Sequence, residues 1–353
     1  MTIVLAVLFI GIVVCVHELG HFVAAKLCGI QVNEFAIFMG PALFKWQGKE
    51  TKYSIRCIPF GGFCAMEGED EDSENPRAFT KAAWWKRVIV LLAGVTMNVV
   101  LAFLMLLIVF IPAERIATTQ ITAFEPESLV AQAGDLQVGD RVLEIDGENL
   151  YITGDFTTLL QLSGGETHDV LVARNGEEVL LEDISLQTTE FTNEDGTTSV
   201  RYGILFGTEA ATFGGKLKQA WNLTLYNARV VRISLQMLIN GQAGISDLTG
   251  PVGMVQQVTE ITSESETFLD TLWVILQFAA MLSVNLAILN ALPLPALDGG
   301  RVLCVLITAV IEGITRKKIN PKYEGYIHGV GIVLLLALMA FILFKDVFTI
   351  FKG

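Results

Sequence analysis

His17, Glu18 and His21 stand in VHELGH, inside the otherwise apolar opening run MTIVLAVLFIGIVVCVHELGHFVAAKL. In an α-helix residues i and i+4 share one face, so His17 and His21 would present two imidazoles to one point. Glu18, turned by about 100° from His17, would set its carboxylate beside that point. This is the working content of H-E-x-x-H: two rings hold a zinc ion, and the carboxylate serves a water on the metal as base. A charged group near a bilayer centre costs at least ~2.5–3.5 kcal/mol, so three ionisable side chains in such a run imply a shared partner.

A catalytic zinc takes three protein ligands and keeps a fourth position open. Cysteine is a poor source of the third. Cys15, Cys28, Cys57, Cys64 and Cys304 are odd in number, form no C-x-x-C pair and read as small apolar fillers. His168 falls in a remote acidic stretch and reads as a surface strand residue, whereas His328 opens the last apolar run and is a candidate. Asp298, in NALPLPALDGGRV, is the better candidate. Pro293 and Pro295 stop the helix before it, and Gly299 and Gly300 let the backbone come close to a neighbour. Asp298 also suits an N-cap for a helix starting near Gly300 or Arg301, a role compatible with metal binding.

The elements that must position these residues are membrane spans. Hydrophobic residues make up 52% of the 353 and mean hydropathy is +0.54, too apolar for an ordinary soluble chain. Four segments, approximately 3–25, 88–111, 270–292 and 326–344, are long enough to cross about 30 Å of hydrocarbon as helices. The first lacks the basic leader of a signal peptide and reads as a retained span. Lys/Arg number eight in 29–87 and five in 301–325, but none in 1–16. By the positive-inside rule both basic loops are cytoplasmic and both termini lie outside. Spans 1 and 3 then run parallel, which brings the Asp298 segment, at the C-terminal end of span 3, beside the histidines of span 1.

The formal charge of −13 is concentrated in residues 113–215, with 19 Asp/Glu against 4 Lys/Arg, and no nucleic-acid partner is expected. Residues 113–210 read as an external β-rich domain, a small partly open barrel. RVLEIDGENL alternates up to an Asp146-Gly147 turn, HDVLVARNGEEVLLEDI is a hairpin around Asn175-Gly176, and FTTLLQL between them is a short helix. Residues 213–240 carry apolar positions at helical spacing and either lie on the membrane surface or pack as a linker helix. EGEDEDSENP, residues 67–76, reads as a solvated acidic loop.

His17-Glu18-x-x-His21, with Asn290-x-x-Pro293-x-Pro295-x-Leu297-Asp298-Gly299, resembles the site-2 protease family of intramembrane zinc metalloproteases, in its bacterial RseP/RasP type. Phe60-Gly61-Gly62 is similar to the family's membrane-dipping β-loop, Gly94-x-x-x-Asn98 to its second-span motif and Gly250-Pro251-Val252-Gly253 to the stretch after its PDZ domain. Two departures stand out: Phe38-Met39-Gly40-Pro41 where relatives tend to read Gly-Phe-Gly-Pro, and Val95 in place of a frequent proline.

The resemblance implies a polytopic α-helical membrane protein with four transmembrane helices, a membrane-associated β-loop and one inserted extracytoplasmic PDZ domain. Its expected parts are 1–112 (spans 1 and 2 with the β-loop), 113–210 (the PDZ domain), 211–265 (an amphipathic connector) and 266–353 (spans 3 and 4). It implies Zn2+ held by His17, His21 and Asp298, Glu18 as general base, and Asn290 holding the substrate backbone or the developing oxyanion. A substrate helix must unwind before cleavage, and the loop with Gly61 and Gly62 offers an edge for strand addition; the alternative is a cytoplasmic hairpin with no substrate role. Expected partners are the lipid bilayer of the cell's cytoplasmic membrane and transmembrane substrates such as anti-sigma factors or remnant signal peptides. Two rival functions are a divalent-cation transporter, which would line a path across the bilayer with polar groups at several depths, and an inactive PDZ scaffold.

Overall fold

The computed structural model describes residues 2–69, 73–165, 167–192, 197–242, 244, 253, 257, 259–262, 267–317, 319–320 and 322–352. Of the stretches singled out above, 250–252 and the middle of the acidic run, 70–72, lie outside the described residues. Among the described residues four helical stretches are long and apolar enough to cross a bilayer: Val7–Cys28, Trp84–Phe110, Phe268–Ala291 and Tyr323–Ile342. The chain divides into two compact units, residues 1–109 with 227–353, and residues 110–226.

In the first unit, helix α1 (Thr2–Cys28) ends where Gly29 takes a left-handed φ of 80°, the usual glycine stop. Strands β1 (Val32–Gln47) and β2 (Lys52–Met66) follow as one bent sheet. Ile37 lies opposite both Gly62 and Ile55, so Glu34–Ile37 is flanked by both arms of β2. Among the described residues Gly62–Ala65 pairs with β1 alone. Glu34 ties the sheet together, accepting from Lys52, Ser54 and Arg56 at 2.8 Å each. The sheet packs on α1 at Gly11, where a Cβ would lie 2.8 Å from the Phe38 ring and 3.1 Å from the Pro59 carbonyl.

Helix α2 (Trp84–Phe110) crosses α1 at close range, because a Cβ on Gly20 would fall 2.5 Å from the Ala93 carbonyl oxygen. Ala25, Ile30, Val32, Phe79, Val90 and Leu91 form the core beneath this crossing.

In the second unit a six-stranded sheet follows the order β10-β3-β4-β6-β7 with β5 on β4. Its strands are β3 (Arg115–Phe124), β4 (Arg141–Ile145), β5 (Glu148–Asn149), β6 (Thr167–Arg174), β7 (Glu177–Ser185) and β10 (Ile204–Ala210). Strands β8 (Thr189–Thr192) and β9 (Thr198–Arg201) form a separate pair, and α3 (Leu129–Ala133) is a short helix. The expected turn at Asp146-Gly147 and the expected hairpin at Asn175-Gly176 both take the left-handed pair of angles, φ 51° and 76° and φ 54° and 88°, as type I′ turns require. Helix α4 (Thr153–Ser163) buries Phe156, Leu159 and Leu160 among Ile121, Val142, Ile145, Val170 and Val172.

His168 is not the surface residue its strand suggested. It alternates in phase with Val170 and Val172 and is therefore buried, with Nδ1 2.9 Å from Asp146 and 3.1 Å from the Ser163 hydroxyl. Helix α5 (Phe213–Ile239) begins in this unit, where the Asn222 amide donates to the Tyr151 carbonyl at 2.9 Å.

The first unit resumes within α5, at Asn227, and continues with α6 (Phe268–Ala291), α7 (Asp298–Thr315) and α8 (Lys322–Lys352). The turn between α6 and α7 folds tightly back. A Cβ on Gly299 would run into the carbonyls of Ala291 and Leu292, and one on Gly300 into that of Leu294. Arg87 of α2 pairs with Glu324 of α8 at 2.7 Å while lying over the Phe79 ring.

Candidate metal centre

Helical spacing on α1 brings the His17 and His21 rings to a centroid distance of 4.7 Å, edge to face. Both side chains are buried, each residue 6% exposed. They face α2, and Gly94 makes room for them: a Cβ there would stand 2.5 Å from His21 Nε2 and 2.8 Å from His17 Cε1.

Asp298 arrives from the glycine turn. It is the first residue of α7 and Leu297 holds the N-cap position, so the carboxylate does not cap the helix and turns to the histidines. Asp298 Oδ2 lies 3.0 Å from His17 Nε2 and 3.2 Å from His21 Nε2, and the two Nε2 atoms are 3.1 Å apart.

The donor set fits zinc on three counts. It is two imidazoles and one carboxylate, a set that leaves a fourth position open. Tetrahedral ligands at about 2.0–2.1 Å stand ~3.3 Å from each other, close to the separations found. The Val90 carbonyl lies 2.8 Å from His21 Nδ1, so the ring proton belongs on Nδ1 and the Nε2 lone pair is left for a metal.

A cavity of about 980 Å³ opens onto the three side chains, and Glu18, Asn290, His328 and the β2 stretch Phe63–Met66 also line it. Glu18 thus reaches the same space without belonging to the cluster. His328 stands on the wall; among the described residues the donor atoms that lie within 4.8 Å of one another are those of His17, His21 and Asp298. Gly61 and Gly62 are buried and let β2 run close over α1. Gly61 has φ 77° with Met39 against it, and a Cβ on Gly62 would lie 3.6 Å from Glu18 Cγ. Sequence reasoning did not find Val90, whose contribution is a backbone carbonyl, or the ion pair of Arg301 with Glu69 on the cavity wall. The second had a signal, since Arg301 falls one helical turn after Asp298.

Three relatives are similar along nearly their whole length. A Clostridium perfringens chain provisionally named a zinc metalloprotease is 37% identical over 352 residues, covering 98% of both chains. The zinc metalloprotease RasP of Oceanobacillus iheyensis is 29% identical over 440 residues, and the regulator of sigma-W protease RasP of Bacillus subtilis 27% over 435, each alignment covering 99% of both chains. The model of Peptidase family M50 matches residues 5–338. With its HExxH span, its buried histidine–aspartate cluster and this match, the chain belongs to Peptidase family M50 and is an intramembrane zinc metalloprotease.

Proposed function

We propose that His17, His21 and Asp298 hold the zinc of this protease and that Glu18 is its general base. The observation that carries this is the convergence of His17 Nε2, His21 Nε2 and Asp298 Oδ2 within 3.0–3.2 Å beside a cavity that Glu18 also lines. When bound, zinc supplies Lewis acidity, lowering the pKa of a coordinated water from about 15.7 toward 7 and polarising the scissile carbonyl.

The chain's own groups do the remainder. Glu18 takes a proton from the attacking water and returns it to the leaving amine. Asn290, on the cavity wall, holds the substrate backbone or the oxyanion that develops on it.

The substrates are transmembrane segments of membrane proteins, anti-sigma factors or remnant signal peptides among them. The B. subtilis relative's name, regulator of sigma-W protease, supports the first class. A membrane helix has all its backbone groups paired and must be drawn into an extended form before it is cut. The one-sided pairing of Gly62–Ala65, and its place on the cavity wall from Phe63 onward, support strand addition there, with Gly61 and Gly62 allowing the strand to approach Glu18.

Residues 113–210 act as a PDZ domain outside the cytoplasmic membrane. The Lys/Arg distribution supports external termini and an active site toward the cytoplasmic side.

Elemental analysis tests the ligand set. Wild type should carry about one zinc per chain, and His21→Ala and Asp298→Asn far less. Equal zinc in all three would remove these residues from the metal site.

A further inference from the structure

Asn98 of α2 is fully buried, and its side chain meets His17 on the far side of the ring from Asp298: Nδ2 lies 3.3 Å from His17 Nδ1. Among the described residues its Oδ1, also buried, has no hydrogen-bond partner. The backbone at this point is fixed, because the buried Ser283 hydroxyl of α6 donates to the Asn98 carbonyl at 2.8 Å. A polar amide held rigidly against a proposed metal ligand, with its acceptor atom left over, calls for a role.

The two histidines differ in how their outer nitrogen is held. At His21 a backbone carbonyl stands 2.8 Å from Nδ1, and a carbonyl can only accept, so the proton is on Nδ1 and Nε2 is ready for a metal. At His17 the group facing Nδ1 is the Asn98 NH2, which can only donate. A neutral imidazole carries one N–H, so in this arrangement the His17 proton sits on Nε2 and points to Asp298 Oδ2, 3.0 Å away. That tautomer satisfies Asp298 but offers no lone pair to zinc. Rotating the Asn98 amide by about 180° about its last side-chain bond exchanges its nitrogen and oxygen and presents Oδ1 to Nδ1.

We propose that Asn98 is the positioning residue of His17: with the amide turned so that Oδ1 accepts from Nδ1–H, it holds the ring in the tautomer that presents Nε2 to zinc. The proposal rests on His17 being a zinc ligand. Asn98 then does for His17 what the Val90 carbonyl does for His21, with one difference. The carbonyl is fixed, whereas the amide has two orientations, one suited to the Nε2–H ring and one to the metal-binding ring.

Zinc competition against a chromophoric chelator, on purified full-length chain in detergent, tests this with Asn98→Leu, Asn98→Asp and His17→Ala. Leucine fills the space without an acceptor and should weaken zinc binding about 10- to 100-fold, the usual effect of losing such a partner. Aspartate offers only acceptors and should bind zinc at least as tightly as wild type, an order that a purely structural role for Asn98 would not produce. Wild-type affinity in the leucine variant, or an equal loss in both variants, overturns the proposal. If His17→Ala binds zinc like wild type, the ligand set itself fails; if His17→Ala alone loses zinc, the ligand set stands and the role of Asn98 falls. Should Asn98→Leu not fold, nitrogen-15 spectra of zinc-loaded, histidine-labelled wild type decide the matter. A proton on His17 Nδ1 is expected, and a proton on its Nε2 would overturn the proposal.

Discussion

Gly94→Ala places one methyl group where the two imidazoles already are. The added carbon would sit 2.5 Å from His21 Nε2 and 2.8 Å from both His17 Cε1 and His21 Cε1, whereas ordinary contact begins at 3.4 Å. The histidine rings, or the whole of α2, must therefore retreat by about 1 Å. The backbone does not object, because Gly94 is not among the residues with positive φ, and alanine is favoured over glycine in a helix interior by up to ~1 kcal/mol. Zinc coordination is far less tolerant, with ligand distances held to about 0.2 Å. A misplacement of ~1 Å in a catalytic group costs on the order of 100-fold. Gly94→Ala is thus expected to lower zinc affinity and turnover about 100-fold while leaving folding stability within about 1 kcal/mol of wild type. Chelator competition reads the affinity, and a denaturant melt of zinc-free protein reads the stability. Wild-type zinc affinity in a folded Gly94→Ala chain would refute the close packing of α2 on the histidine pair.

Glu34 sets an acid limit on the β1–β2 sheet. Burial favours its neutral form, but hydrogen bonds from Lys52, Arg56 and Ser54 outweigh it and hold the carboxyl at about 2, against an ordinary 4.5. A depressed carboxyl stabilises the fold above its unfolded value and loses that contribution as pH falls, here from about 4.5 down to about 2. At ~1.36 kcal/mol per pH unit, the interval from 4.5 to about 2 sets an upper bound of about 3.4 kcal/mol, which solvent screening lowers. Amide exchange protection across residues 32–66 should therefore fall over that range in wild type and stay flat in Glu34→Gln, whose protection is already low at neutral pH; equal protection of both chains at neutral pH would count against the triad of donors. In the second unit, Phe156→Ala should cost about 3–5 kcal/mol, because this side chain is 2% exposed at the centre of the core. Denaturant melts should show that loss while zinc content stays at the wild-type level, since the proposed ligands all lie in the other unit.

The meeting of His17, His21 and Asp298 was legible in the sequence because its parts are local. The i, i+4 spacing of His17 and His21 needs only a helix, and the Pro293–Gly300 turn announces a tight fold-back in its own residues. Parallel spans then made the meeting with Asp298 foreseeable, and the 3.0 Å contact of Asp298 with His17 realises it. The hairpins of the second unit were equally local, with Asn175-Gly176 specifying its own left-handed turn.

What escaped notice depends on backbone atoms or on distant partners. No residue type betrays that the Val90 carbonyl faces His21 Nδ1. The burial of His168 follows from a strand register that its polar neighbours, Thr167 and Asp169, disguised. Phe38 is an instructive case. The sequence marked it as a departure from a glycine frequent in relatives, and it adopts φ 68°, a region that favours glycine. Its ring lies against Gly11 of α1, so packing against the helix accompanies the strained backbone.

In the proposed mechanism Glu18 performs the chemistry at a zinc held by His17, His21 and Asp298. Glu18→Gln keeps the shape of the side chain and removes the base. The direct measurement is zinc content together with cleavage of a transmembrane peptide in detergent, for wild type and this one variant. Zinc at the wild-type level with cleavage reduced by at least about 100-fold is the predicted result. Undiminished cleavage by zinc-loaded Glu18→Gln would contradict it.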